Sequence, residues 1–347
     1  MLTLKWPICL SCTLSVLSLS SGLWPAFGLE DNRPTFYQGK TIDLLVGYPT
    51  GGSNDIYSRI LGENLGRFIP GNPRVFVRNM PGAGSLVAAN YIYNTAPRDG
   101  TILGAVSAGI PLEAKLGNAQ SRYKASDFNW IGRISRSPSV TMVWKDTQIR
   151  KFTDAILSSV TLSATGTGST GGLYPNIMNK LLNTRFKLVR GYEGTNAAML
   201  AMERGEVEGH STTWEAVKSV HPAWISSEKI RVLVQHGLTR ARDLPEVPTS
   251  VELTDNLEDK EVMQVIMSAS EIGKSYFTTP GVLPERVSVL RTAFNRVLHD
   301  PKFASQIEAI RGEVEPLSGE TVQKMVDQLD YIPDKILMRA RTVYSEQ

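Results

Sequence analysis

From Lys40 onward the chain repeats one unit: a short apolar run, a glycine-bearing turn and an amphipathic stretch. TIDLLVGYP (41–49) is followed by Gly51-Gly52 and then by SNDIYSRILGENLGRF, in which Ile56, Ile60, Leu61, Leu65 and Phe68 fall at helical spacing. RVFVRNMPGAG, SLVAANYIYNTA opened by Ser85, and TILGAV beyond Asp99-Gly100 continue the series. A second series begins near Val140 with VTLSAT, a glycine loop, a helix through Leu182, FKLVRGY, AAMLAMER closed by Gly205, VEGHST and IRVLVQH. Such alternation predicts an α/β fold with largely parallel sheets. The remainder reads as helical, with Val287, Leu290, Phe294, Val297 and Leu298 on one face after Pro284, and with Asp300-Pro301 restarting a helix as cap and first residue. No internal repeat is legible beyond the unit itself.

The first residues follow a different rule. MLTLKWPICLSCTLSVLSLSSGLWPAFG carries one charge, Lys5, then an apolar and hydroxyl-rich run, and Ala26-Phe27-Gly28 offers small residues at −3 and −1. This predicts a secretory signal peptide over residues 1–28, cleaved near Gly28, and a periplasmic mature protein. Both cysteines, Cys9 and Cys12, would leave with it, so disulfides, zinc-thiolate sites and cysteine nucleophiles are excluded from the mature chain. Loss of Lys5 leaves 36 basic residues against 34 acidic, a net charge of +2 without a basic block, which gives no footprint for nucleic acid. At 347 residues the chain has room for two domains with buried cores.

The stretch SATGTGSTGG contains Gly166-Thr167-Gly168-Ser169-Thr170-Gly171, which spells G-x-G-x-x-G after a strand and before a helix. An NAD-dependent oxidoreductase is one reading, with Glu193 at about the spacing of a ribose-binding acid. The mid-chain position and the export signal argue against it. What survives is the physics: a glycine and hydroxyl turn at a helix N-terminus presents unpaired N–H groups and the positive end of the dipole, an anion receptor. Tyr48-Pro49-Thr50-Gly51-Gly52-Ser53-Asn54-Asp55 is a second such loop, in the other half of the chain. Two loops on two lobes point to a carboxylate held in the cleft between them. Asp55 reads as a structural first-turn acid, because a carboxylate facing an anionic ligand would repel it.

Further polar residues sit at strand ends. Ser107, in AVSAG, weakly resembles a nucleophile elbow, but the four histidines show no triad spacing. No H-E-x-x-H or carboxylate cluster marks a metal, so neither cofactor nor catalysis is expected. Thr195, His210, Ser211 and Trp214 follow strands of the second series, where α/β sheets place ligands. His210 and Trp214 read equally well as packed residues.

Taken together, these segments resemble the Bug-type receptors of tripartite tricarboxylate transporters. YPTGGSNDIYSRILGENL is similar to the first loop and helix of that family through Pro49, Gly51, Gly52 and Asp55. VFVRNMPGAGSLVAANYI is similar to its second strand and turn through Asn79, Pro81, Gly82, Ala83 and Gly84. APRDGTILGA, GTGSTGGL, YEGTNAAMLAMERGEVEG, DLPEVPTSVEL and TPGVLPERVSVLRTAFNRVLHDPKF follow in family order. The resemblance implies a two-lobed periplasmic-binding-protein fold, type II-like, a Venus flytrap with a cleft between the lobes. It implies a first lobe of 29–137 plus 255–347 and a second of 138–254. It also implies a non-enzymatic monomer that passes a small carboxylated molecule to membrane permease subunits, or an exported sensor with the same cleft. Backbone amides of Tyr48–Asp55 and Thr165–Thr170 would hold the ligand, with Ser107 and Thr195 facing it. Gly172-Leu173 stands where many relatives have His-Leu, GHSTTW replaces an aspartate-containing strand end, and EVMQVIMSASEIGKSYFTTPG is unlike the common form; these departures are expected to line or border the cleft, which leaves the ligand class open.

Overall fold

The computed structural model describes residues 36–165 and 169–344; the segment read as a signal peptide and the glycines and threonine at 166–168 lie outside the described residues. Among the described residues, eleven strands form two sheets. The first contains β1 (Thr41–Val46), β2 (Arg74–Asn79), β3 (Ile102–Ala105), β4 (Asn129–Arg133), β10 (Ser275–Thr278) and β11 (Leu317–Ser318). The second contains β5 (Ser139–Trp144), β6 (Val160–Ala164), β7 (Phe186–Arg190), β8 (Gly209–Thr213) and β9 (Ile230–His236). Each sheet is the centre of one lobe.

The two sheets share one plan. Their orders are β11-β4-β10-β3-β1-β2 and β7-β6-β8-β5-β9, so that β2-β1-β3-β10-β4 matches β7-β6-β8-β5-β9 strand for strand. In each, three parallel strands come from strand–turn–helix units, and one strand arrives from the other lobe. That arriving strand, β10 or β5, runs antiparallel to both neighbours. The sheets are therefore mixed, not largely parallel as the sequence pattern predicts. A strand entering from another lobe has no crossover helix on its own sheet, and nothing obliges it to run parallel.

Burial explains the apolar runs. In β1, Ile42, Leu44 and Val46 join one core cluster while Leu45 faces another, so both faces of the strand are covered and the run is nearly continuous rather than alternating. The helix Pro284–Leu298 buries Val287, Leu290, Phe294 and Val297, one stripe at three- and four-residue spacing, against the first sheet. Asp300 caps the following helix by accepting from the backbone N–H groups of Lys302 and Phe303.

Three stretches carry the chain between lobes. Residues 134–138 lead from β4 into β5. The helix Leu257–Ile272 leads back into β10, and the helix Asp334–Tyr344 returns once more. Val262, Met263, Ile266 and Met267 of the former and Ile336, Ala340 and Val343 of the latter are buried with Leu162, Ile177 and Leu233 of the second lobe. Both helices thus contribute to the core beneath the five-stranded sheet. Two of the crossings are stitched together: Ile134 N donates to Lys274 O at 3.0 Å, Lys274 N to Ser135 O at 2.9 Å and Ser137 N to Ser270 O at 3.1 Å.

Candidate functional site

A cavity of about 320 Å³ lies between the lobes, at the carboxyl ends of their parallel strands. The first lobe contributes Tyr48 after β1, Gly84 after β2, and Ser107, Ala108 and Gly109 after β3; the second contributes Thr170 after β6 and Thr213 at the end of β8. Ser137 and Ser270 line it from the two stitched crossings. Helices start at Ser53, Leu86, Thr170 and Trp214, beyond the ends of β1, β2, β6 and β8, so helix N-termini of both lobes lie on this side of the sheets.

Ser85 ties together the first-lobe side. Its buried hydroxyl donates to Gly47 O at 2.9 Å and accepts from Ser107 N at 3.1 Å, joining the ends of β1 and β3 to the turn after β2. Holding it there requires positive φ at Gly82, Ala83, Gly84 and Ser85 in succession, with values of 141°, 44°, 62° and 80°. Two of these are not glycine, and left-handed backbone costs such residues on the order of 1 kcal/mol. Gly47 is fixed by the same contact, since a Cβ there would meet Ser85 Oγ at 2.6 Å.

Asp55 organises the loop that precedes it. It accepts from Gly51 N at 2.8 Å, Arg59 Nε at 3.0 Å and Asn79 Nδ2 at 2.8 Å. Burial opposes its charge, but Arg59, the Gly51 amide and Asn79 together hold the carboxyl below its ordinary range. Gly51 N is thereby already satisfied, and Ser53 Oγ donates to Glu215 of the second lobe at 2.8 Å. Pro49, Thr50, Gly51 and Gly52 are exposed and do not line the cavity; Tyr48 and Asn54 do.

On the second-lobe side Thr170 opens the helix Thr170–Leu181, with Ser169 as its cap accepting from Gly172 N at 3.2 Å. Gly171 serves packing. A Cβ there would sit 3.1 Å from Ser163 O and 3.2 Å from His210 Cε1, so the last glycine of the G-x-G-x-x-G stretch lets the helix lie close on β6 and β8. His210 is buried beneath it, with Nδ1 2.9 Å from Ser163 O; burial pushes its pKa down to about 4. Ser211 is equally buried, 2.6 Å from Thr141 Oγ1, which also meets His236 Nε2 at 2.8 Å. His236 in turn stacks under the cavity-lining ring of Tyr174, with centroids 4.4 Å apart.

Of the residues singled out from sequence, the structure brings Tyr48, Ser107 and Thr170 to one cavity. It does not bring His210, Ser211 or Trp214 there, because all three are committed below the surface. Trp214 is buried in a second-lobe cluster and donates from Nε1 to Asp243 at 2.8 Å. Thr195, at the start of the helix Thr195–Glu203, is half-buried and does not line the cavity. Gly166, Thr167 and Gly168 lie outside the described residues. Sequence reasoning passed over Glu113, Ser139 and Tyr344. Thr213 carried a signal as the strand-end residue beside Ser211, and Ile266, Ala269 and Ser270 lie in the stretch EVMQVIMSASEIGKSYFTTPG, expected at the cleft without any single residue being named.

Among the described lining residues there is no lysine, arginine or histidine. The polar atoms are hydroxyls, one amide side chain, one carboxylate and backbone. Such a lining can hold an anion by hydrogen bonds and helix dipoles without a counter-ion. Among the described residues no group of three or more His, Cys, Asp or Glu could hold a metal ion.

Residues 58–336 match the TctC family, the tripartite tricarboxylate transporter family receptors. The chain belongs to this family. A UPF0065 protein from the gbd 5' region of Cupriavidus necator is 26% identical over 302 residues, covering 84% of this chain and 83% of that protein. The crystal structure of a TctC solute binding protein from Polaromonas superposes with a TM-score of 0.65 at 20% identity, over 88% of this chain and 98% of that one. R. palustris Rpa4515, solved with adipate, gives a TM-score of 0.63 at 20% identity, over 87% and 97%. These structures share the two-lobed periplasmic-binding-protein fold. TctC-family proteins are receptors and not enzymes, so the G-x-G-x-x-G stretch of this TctC-family chain is not the fingerprint of an oxidoreductase.

Proposed function

We propose that this receptor captures a small carboxylated molecule outside the cytoplasm, between its two lobes, and delivers it to the membrane permease subunits of a tripartite tricarboxylate-type transporter. The observation that carries the reading is the cavity itself: strand ends of both lobes meet at one space whose polar lining, apart from Glu113, is neutral and rich in hydroxyls. A carboxylate bound there receives charge-assisted hydrogen bonds, each worth about 1.5–3 kcal/mol. Adipate, carried by the R. palustris relative, is a carboxylate of this size class.

The lobe assignment from sequence is 29–137 plus 255–347 against 138–254. The helices Leu257–Ile272 and Asp334–Tyr344, which it gives to the first lobe, pack in the core of the second. The hinge would therefore lie where residues 134–138 and 270–274 run side by side, and closure about them would bury the ligand. Cleavage near Gly28 would release the mature receptor to the periplasm, where its N-terminal residue can be sequenced. Thermal melts of the mature protein against a panel of small mono-, di- and tricarboxylates test the binding reading. A ligand that binds only the folded state raises the melting temperature by mass action, so at least one carboxylate gives a concentration-dependent rise. A panel without a shift at millimolar concentration overturns the proposal.

A further inference from the structure

Among the described residues that line the cavity, Glu113 is the one carboxylate, and no lysine, arginine or histidine lines it with it. It ends the short helix Ile110–Glu113 that follows Ser107, and so faces the same space as the first-lobe donors. Its partners are both neutral: Oε1 accepts from the Tyr344 hydroxyl at 3.0 Å and Oε2 from Asn118 Nδ2 at 2.9 Å. Among the described residues it forms no ion pair. The cations nearby are committed elsewhere: Lys115 pairs with Asp330 at 2.5 Å, and Arg341 donates to the backbone carbonyl of Lys115 at 3.0 Å. A carboxylate offers about four acceptor positions, and two of Glu113's are taken, so two remain for a ligand.

We infer that Glu113 selects the second functional group of the ligand: the receptor takes a small acid whose far end is a cation or a hydrogen-bond donor, in preference to a dicarboxylate of the same length. The inference rests on the carboxylate-binding reading and refines it. Neutral donors at the strand ends hold the ligand carboxylate. A second carboxylate would enter a space whose only side-chain charge among the described residues is negative, while an ammonium, amide or hydroxyl would pair with Glu113. Like charges brought together in a partly desolvated site repel strongly, and this is how a binding site rejects a near-isostere.

Isothermal titration of the mature protein with length-matched pairs tests this, each pair an ω-amino acid and the dicarboxylate of equal chain length. The wild-type receptor binds the amino acid of the best-fitting pair at least about tenfold more tightly than its dicarboxylate, and Glu113→Gln removes that preference. Glutamine keeps an acceptor for Tyr344, and a melting curve checks the fold. Dicarboxylates binding the wild-type protein as tightly as their partners, or a preference unchanged in the variant, would overturn the role of Glu113 and leave carboxylate binding standing. If no member of any pair binds, the selection falls, and the carboxylate reading falls with it when the wider panel of acids also gives no shift in melting temperature.

Discussion

The hydroxyl of Ser53, in the first turn of a first-lobe helix, donates at 2.8 Å to the carboxylate of Glu215 in the second lobe. Lys274, at the start of β10, pairs with the same carboxylate, and the lysine side chain is only 3% exposed. Burial opposes the charge on Glu215, yet Lys274 and Ser53 hold its carboxyl below its ordinary range. The helix N-terminus read from sequence as an anion receptor thus already meets a carboxylate, supplied by the protein's own other lobe.

Removing one member of a buried pair strands the other. Lys274→Met is expected to destabilise the folded protein by about 3–5 kcal/mol in urea melts, and adding Glu215→Leu is expected to recover most of that loss. A double variant whose loss equals the sum of the two single losses would show that the pair is not coupled.

A second expectation concerns Gly273. Its φ of 53° lies in left-handed territory, and a Cβ there would stand 2.3 Å from Ser135 O on the neighbouring crossing. Gly273→Ala must therefore push apart the two stitched segments, at a cost of about 2–3 kcal/mol by chemical denaturation. A variant as stable as wild type would mean that the crossings do not approach as described.

Acid should weaken the second lobe. Burial pushes His210 down to about 4 and His236 down to about 3, from an ordinary value of 6.5. The unfolded chain takes up these protons near 6.5 and the folded chain only far below it. The contribution is therefore complete above pH 6.5 and is lost as pH falls toward 4, each histidine accounting for something on the order of 3 kcal/mol. Denaturation midpoints at neutral pH and near pH 5 check this before most carboxylates titrate. Unchanged stability across that interval would contradict the buried neutral rings.

The order of strands and helices was legible because each unit carries its own signals: an apolar run, a glycine turn and a capped amphipathic stretch. The direction of β5 and β10 was not, since it depends on which lobe the preceding chain leaves. In the cavity, Tyr48, Ser107 and Thr170 were legible as polar residues just beyond strands. Ile266, Ala269 and Ser270 were legible only as part of a stretch bordering the cleft, because within the helix Leu257–Ile272 they look like any inward-facing stripe. Tyr344 and Glu113 lie 231 positions apart, and only the return of the last helix brings them into contact. His210 and Trp214 show the opposite failure, where strand-end position pointed to a ligand and packing took the side chain.

Ser107 of the first lobe and Thr170 of the second present hydroxyls to the same cavity, where both are proposed to meet one ligand carboxylate. Titration calorimetry of the best-binding acid against wild type, Ser107→Ala and Thr170→Val measures this. Each loss of one charge-assisted bond is expected to weaken binding by about 1.5–3 kcal/mol, roughly tenfold or more, with the melting temperature of the empty protein little changed. Unaltered affinity in both folded variants would contradict a ligand held between the lobes at this cavity.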